Sequence, residues 1–366
     1  MKSNPNSLAK NNRIESLQQK MEGLQIDLCC IENPVDLFYL TGLNLSVGQL
    51  LVHKSGSMLF VDKKYIQNAQ ERAPVDVALE QEGAFEGFLQ SHPGKKCVFD
   101  SHFTTYDRFI TLQARVQMAS CGYEFIPESL LFKRMREIKD PLEIEKLKRS
   151  AELLSKGFNH ICSLLKEGVT EKEIAFQFEV FCRMNGASKL SFESIIAFGA
   201  NSAKPHYRAQ DAILKNGDSI QIDIGVVLDS YHSDMSRVVF FGKRDPFLEK
   251  VYKIVYQTQL AALNMCRPGV ALSELDAAAR QVMRASQMEE HYLHSLGHGI
   301  GLEIHEFPRI NCTGADKDVL LEPGMVITIE PGLYFPGVGG VRYEDTIVIT
   351  ETSYHNFYPR VPLEDT

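Results

Sequence analysis

From Ser219 to Gly225 the chain alternates, with Ile220, Ile222 and Ile224 on one face and Gln221, Asp223 and Gly225 on the other. That period of two predicts a strand with one buried face. Asp229-Ser230 suits a two-residue turn, and a second strand is expected from Tyr231 to Phe241. With that turn, Gly225 lies opposite Asp234 and Asp223 opposite Ser236. Asp223 and Asp234 then become diagonal neighbours on one face, roughly 7–8 Å apart at the backbone. Two like charges so close destabilise a sheet unless something positive sits between them. A cation is the simplest answer; for the pair taken alone, a solvated face is the other.

Upstream the period changes repeatedly. Spacings of three and four predict helices over Arg13 to Glu22, Val35 to Leu40, Lys63 to Arg72, Ala84 to Gln90 and Thr105 to Val116. Ile26 to Ile31 and Lys96 to Phe99 read as strands, and Leu50 to Val52 with Ser57 to Val61 as a hairpin about Lys54-Ser55-Gly56. Residues 1–133 are thus expected to form a small α/β domain with nothing clustered like a site. Lys95-Lys96 and the acidic stretch Glu80 to Glu86 read as solvated faces. Pro127 to Pro141 connects to a second domain, 134–366. There an amphipathic helix is predicted from Leu142 to Leu165, ending near Gly168. Thr170 caps the next, with Glu173 completing a capping box. Ser191 to Phe198 reads as a strand and Gly199 to Gln210 as a polar loop carrying His206. Phe247 to Cys266 and Leu272 to Ser286 read as helices. Helix pair, strands, helix pair, strands suggests two pseudo-symmetric halves, although no strong sequence repeat marks them.

Composition narrows the class. The 366 residues, 44% hydrophobic and 23% charged, suffice for two ordinary globular domains. A net charge of −8 lacks the basic footprint of a nucleic-acid binder. No apolar run approaches the roughly 18 residues that span a bilayer. The polar N-terminal stretch has no apolar h-region, so it is not read as a secretory signal. Eight scattered cysteines with no C-x-x-C pair read as reduced thiols of a cytoplasmic protein.

Downstream lie the other candidate residues. His294, His298 and His305 are spaced by four and seven, but Gly297, Gly299 and Gly301 argue against a helical zinc motif. A glycine-rich extended turn instead lets backbone pass close to a metal while His298 reaches it. Met325 to Glu330 reads as a buried strand ending on a carboxylate, and Val341 to Ile349 as another with Glu344 in its middle. A charge inside such an apolar strand is rarely left unpaired. With Asp223 and Asp234 these make four carboxylates and one imidazole, a hard set suited to two divalent ions.

In order, D-x-G…S-D, G-H-G-I-G…H-E, E-P-G and R-x-E-D closely resemble the metal-dependent pita-bread peptidases (M24 type). That family comprises methionine aminopeptidase, aminopeptidase P and prolidase, with creatinase as a metal-free relative. The resemblance covers the whole chain. It implies a creatinase/prolidase-type α/β N-terminal domain and an α+β pita-bread catalytic domain, with pseudo-twofold helix pairs over a curved antiparallel sheet. It also implies that Asp223, Asp234, His298, Glu330 and Glu344 hold two divalent ions, with Mn²⁺ expected and Co²⁺ or Zn²⁺ as alternatives. Glu330, His305 and His206 match the family's catalytic positions, and His294, Tyr334 and Arg342 its substrate-binding ones. The implied activity is hydrolysis of the Xaa-Pro bond at the N-terminus of short peptides or dipeptides, by a homodimer. A methionine aminopeptidase would lack Arg342 and the N-terminal domain. A creatinase or a non-enzymatic interaction module is opposed by the complete ligand set. GHGIGLEIHE leans toward prolidase, while dipeptides against longer peptides stays open.

Overall fold

Ser219–Ile224 is a strand in the computed structural model, which describes residues 5–359, with side chains from Arg13 onward. The first four residues of the polar N-terminal stretch lie outside that range. The chain forms two units, one reaching Arg136 and one beginning at Glu137. Among the described residues no helix is long and apolar enough to cross a membrane.

The first unit runs α1 (Pro5–Gly23), β1 (Leu28–Ile31), α2 (Pro34–Thr41), β2 (Gln49–His53), β3 (Gly56–Val61), α3 (Ile66–Arg72), β4 (Asp76–Leu79), α4 (Ala84–Ser91), β5 (Lys96–Asp100), α5 (Tyr106–Met118), β6 (Glu124–Glu128) and α6 (Leu130–Met135). Its strands form one sheet ordered β4-β3-β2-β1-β5-β6. β2 runs antiparallel to both neighbours, and the other pairings are parallel. The central strand β1 is buried along its length, as its unbroken apolar run requires. Sequence periodicity missed the two edge strands. β4 is only partly buried, and β6 contains Pro127, which an edge tolerates. The acidic stretch is also more than a solvated face, since Glu80 and Glu86 hold Arg115 at 3.0 and 2.7 Å.

The second unit opens with α7 (Pro141–Cys162) and α8 (Glu171–Met184), followed by β7 (Lys189–Leu190), β8 (Ile195–Phe198), β9 (Ser219–Ile224), β10 (Val226–Leu228), β11 (Tyr231–His232) and β12 (Met235–Phe240). Then come α9 (Pro246–Leu263), α10 (Leu272–Ala285), β13 (Gly297–Gly299), β14 (Glu306–Ile310), β15 (Val326–Ile329), β16 (Gly332–Phe335), β17 (Gly339–Arg342), β18 (Asp345–Ile349) and β19 (Tyr354–Asn356). Both helices of the first pair carry capping boxes. Thr170 and Glu173 exchange bonds as expected, and Asp140 with Glu143 starts α7 at Pro141. The strands pair antiparallel and fall into short sheets: β12-β9-β8, β11-β10-β7, β14-β13-β15-β18-β19 and β16-β17. Leu154 and Phe178 of the first helix pair pack with Ile196 and Ile222, and Leu263 and Leu275 of the second with Ile327 and Ile347. Each helix pair thus covers strands of its own half, as expected, and Leu248 and Val251 of α9 also pack with Val238 and Phe240 of β12.

The hairpin register is the expected one. Asp223 pairs with Ser236 and Val227 with His232, about a turn with positive φ at Asp229 and Ser230. Three expectations need correction. The strand expected from Tyr231 to Phe241 breaks at Ser233-Asp234, leaving β11 and β12 in separate sheets. β9 is buried on both faces, because Gln221 on its polar face is bonded to the main chain of Arg342: Oε1 accepts from its N–H at 2.7 Å and Nε2 donates to its carbonyl at 3.3 Å. The strand expected over Val341 to Ile349 is also broken, with Tyr343-Glu344 between β17 and β18. There the Glu344 N–H donates to Ser236 C=O at 3.1 Å, so Glu344 meets the hairpin instead of its own sheet.

Candidate active site

Strand ends deliver the acids. Asp223 lies on β9, Asp234 immediately before β12, Glu330 immediately after β15 and Glu344 in the break before β18. His298 sits in the middle of β13, where a register shift follows it. Its N–H donates to Thr328 Oγ1 at 3.1 Å, and ring Nδ1 donates to Gly299 C=O at 3.0 Å. With the proton on Nδ1, Nε2 is an acceptor. It faces Glu330 Oε1 at 3.5 Å and Asp234 Oδ2 at 3.6 Å. Ligand atoms of Asp234, His298 and Glu344 all lie within 4.8 Å of one another.

The electrostatics of this cluster are unfavourable by themselves. Burial, then the neighbouring acids, pushes Asp234 and Glu344 well above the carboxylate range, and burial pushes Glu330 up to about 8. Burial holds His298 neutral, its pKa lowered to about 3. Oxygens of Asp223, Asp234 and Glu344 are buried with no hydrogen-bond partner. Lone pairs converging this way, none with a proton donor, fit divalent cations and little else.

Arg342 braces one side. It pairs with Asp223 Oδ2, donates through Nε to Ser236 Oγ at 3.0 Å and through Nη1 to the Tyr334 hydroxyl at 2.6 Å. Ser236 Oγ passes the support on, donating to Glu344 Oε2 at 3.0 Å. Tyr334 in turn donates to His294 Nε2 at 2.8 Å, because His294 Nδ1 is committed to Ser295 C=O at 2.9 Å. Gly332 makes this relay possible, since a Cβ there would lie 2.5 Å from the Tyr334 hydroxyl and 3.1 Å from His294 Nε2.

A cavity of about 610 Å³ opens over the cluster. His206, His294, His298, His305, Asp223, Asp234, Glu330, Arg342 and Glu344 line it, with Phe192, Ile195 and Ile304 as apolar wall. His305 stands edge-on to His298, ring centroids 4.4 Å apart, and burial lowers its pKa. Nine of the ten residues singled out in the sequence therefore meet at one cavity. The tenth, Tyr334, is 1% exposed and stands behind His294 and Arg342.

Polar and charged lining residues that the sequence did not single out include Glu193, Tyr207, Arg208 and Arg309. Arg309 pairs across the strands with His298, and its Nε donates to Ser295 Oγ at 3.3 Å. Its position was hidden because the irregular residues between β13 and β14 and the register shift after His298 conceal which residue faces the site.

Known proteins are similar in sequence and fold. Residues 145–351 match Metallopeptidase family M24, and residues 13–138 match the Creatinase/Prolidase N-terminal domain. The chain is 34% identical to the Xaa-Pro dipeptidase of Pyrococcus furiosus, over 93% of this chain and 95% of that protein. The structure of the Xaa-Pro dipeptidase from Bacillus anthracis superposes with a TM-score of 0.89 at 32% identity, covering 96% and 99% of the two chains. The prolidase from Pyrococcus horikoshii OT3 superposes at 0.86 with 31% identity and the same coverage. The chain belongs to metallopeptidase family M24, with a creatinase/prolidase-type N-terminal domain.

Proposed function

We propose that this protein is a metal-dependent Xaa-Pro dipeptidase. The observation that carries the reading is the convergence of four carboxylates and the His298 Nε2 lone pair on one cavity, with three buried carboxylate oxygens unpartnered. Asp223, Asp234, His298, Glu330 and Glu344 would hold two divalent ions. Bound there, the ions supply a nucleophile from water at neutral pH and draw electron density from the scissile carbonyl. The oxygen-rich set favours Mn²⁺ over Co²⁺ or Zn²⁺.

The residues divide the remaining work. Glu330 takes the proton of the attacking water and returns it to the proline nitrogen as the bond breaks. His305 donates to the oxyanion of the tetrahedral intermediate, and His206 steadies the substrate beside it. The amide before proline has no N–H, so recognition rests on the shape of the ring and on its carbonyl or carboxylate. His294 and Arg342 meet the proline side, held in place by the Tyr334 hydroxyl between them. Arg309 supplies a guanidinium at the same cavity, suited to a terminal carboxylate. That favours dipeptides over longer chains and agrees with the relatives named Xaa-Pro dipeptidase and prolidase. Eight free thiols suit a reducing cytoplasm, and the first unit is assigned to homodimer contacts.

Chelated protein should stop cleaving an Xaa-Pro dipeptide and recover with Mn²⁺, while Xaa-Pro-Xaa tripeptides are cleaved poorly. Undiminished turnover after metal removal, or no Xaa-Pro cleavage at all, would refute the reading.

A further inference from the structure

We propose that Lys139 is a positioning residue for His305, acting through a buried ion pair with Glu306; the inference rests on the role given to His305 above. Lys139 lies just before α7 and is fastened to the residues that lead into β15. Its N–H donates to Gly324 C=O at 2.9 Å, and Ile138 pairs with Met325. Its Nζ lies 3.1 Å from Glu306 Oε2, and the two side chains are 1% and 3% exposed.

Glu306 spends its other oxygen on the loop that carries His305. Oε1 accepts from the N–H groups of Leu302 at 2.9 Å and Glu303 at 3.2 Å. The carboxylate folds over Gly301, where a Cβ would lie 2.6 Å from it. From the other side the His232 N–H donates to Gly301 C=O at 2.8 Å. Residues 301–305 are neither helix nor strand, so these bonds give His305 its place.

Stability alone is a poor reason for such a pair. Burying two charges costs several kcal/mol per ion, and apolar residues of similar volume often do as well. What the pair adds is direction: an ammonium at a set distance fixes the carboxylate, and the carboxylate fixes two backbone donors. A group that must meet a developing oxyanion needs that accuracy, since a misplacement of about 1 Å can cost 10²-fold.

K139M removes the ammonium beside the buried Glu306 carboxylate, so K139M/E306Q, which removes both charges and keeps an acceptor for Leu302 and Glu303, is measured beside it. Both should lower kcat on an Xaa-Pro dipeptide roughly 10- to 10²-fold, with KM and bound metal unchanged. Backbone hydrogen exchange across residues 301–305 should quicken. In an H305A background, adding K139M/E306Q should lower kcat no further. A double variant with wild-type kcat, or a loss that multiplies with that of H305A, overturns the proposal. If the wild type cleaves no Xaa-Pro dipeptide, or H305A keeps full kcat, the functional reading has failed and the proposal falls with it.

Discussion

Arg342 and Asp223 form an ion pair inside the site, their side chains 5% and 11% exposed. The guanidinium offsets one charge of a four-carboxylate cluster. In R342A the cluster keeps its acids and loses that cation, so chelated protein should lose the ~3–5 kcal/mol typical of a broken buried pair. Divalent ions should then return more stability to R342A than to the wild type. Thermal melts with and without Mn²⁺ check this, and equal metal-induced shifts would count against it.

The acids also predict a pH signature. Burial raises Glu330 from 4.5 to about 8, and Asp234 and Glu344 shift the same way. The folded state then holds protons that the unfolded chain releases, so stability from this source is present below about 4.5 and lost as pH rises toward 8. Chelated protein should melt at progressively lower temperature across that window. Metal-loaded protein, whose ions replace the protons, should hold its Tm there.

Carboxylate recognition by Arg309, as proposed above, predicts a split between substrates. A charge-assisted hydrogen bond contributes about 1.5–3 kcal/mol, so R309Q should lower kcat/KM for an Xaa-Pro dipeptide by roughly 10- to 10²-fold. The same dipeptide amidated at its C-terminus should be cut equally by variant and wild type. Parallel losses on both substrates would remove Arg309 from carboxylate recognition.

H305A should lower kcat by about 10²–10³-fold while metal content, read by elemental analysis, stays at the wild-type level. Loss of metal with kcat preserved per bound ion would make His305 a ligand instead.

Much of the site was legible because each acid sits where a strand's apolar pattern makes a charge conspicuous: Asp223 among isoleucines, Glu330 closing an apolar run, Glu344 beside one. The Asp229-Ser230 turn then set the hairpin register, and with it the face shared by Asp223 and Asp234. Long-range partners were not legible. Nothing in the spacing says that Tyr334 stands behind His294, that Arg309 lies across from His298, or that Lys139 reaches Glu306. Glu344 looked like mid-strand because its flanks are apolar, yet the chain breaks there to bond Ser236.

Asp223, Asp234, His298, Glu330 and Glu344 are strung along the second unit in that order, on different strands or the turns beside them. A chain emerging from the ribosome therefore carries an incomplete cluster until Glu344 has been made and folded in. Fragments ending earlier would present the hairpin and even the histidine without the last carboxylate. For a protein built to cut peptides, hydrolytic competence would then arrive late in synthesis, once the last carboxylate is in place.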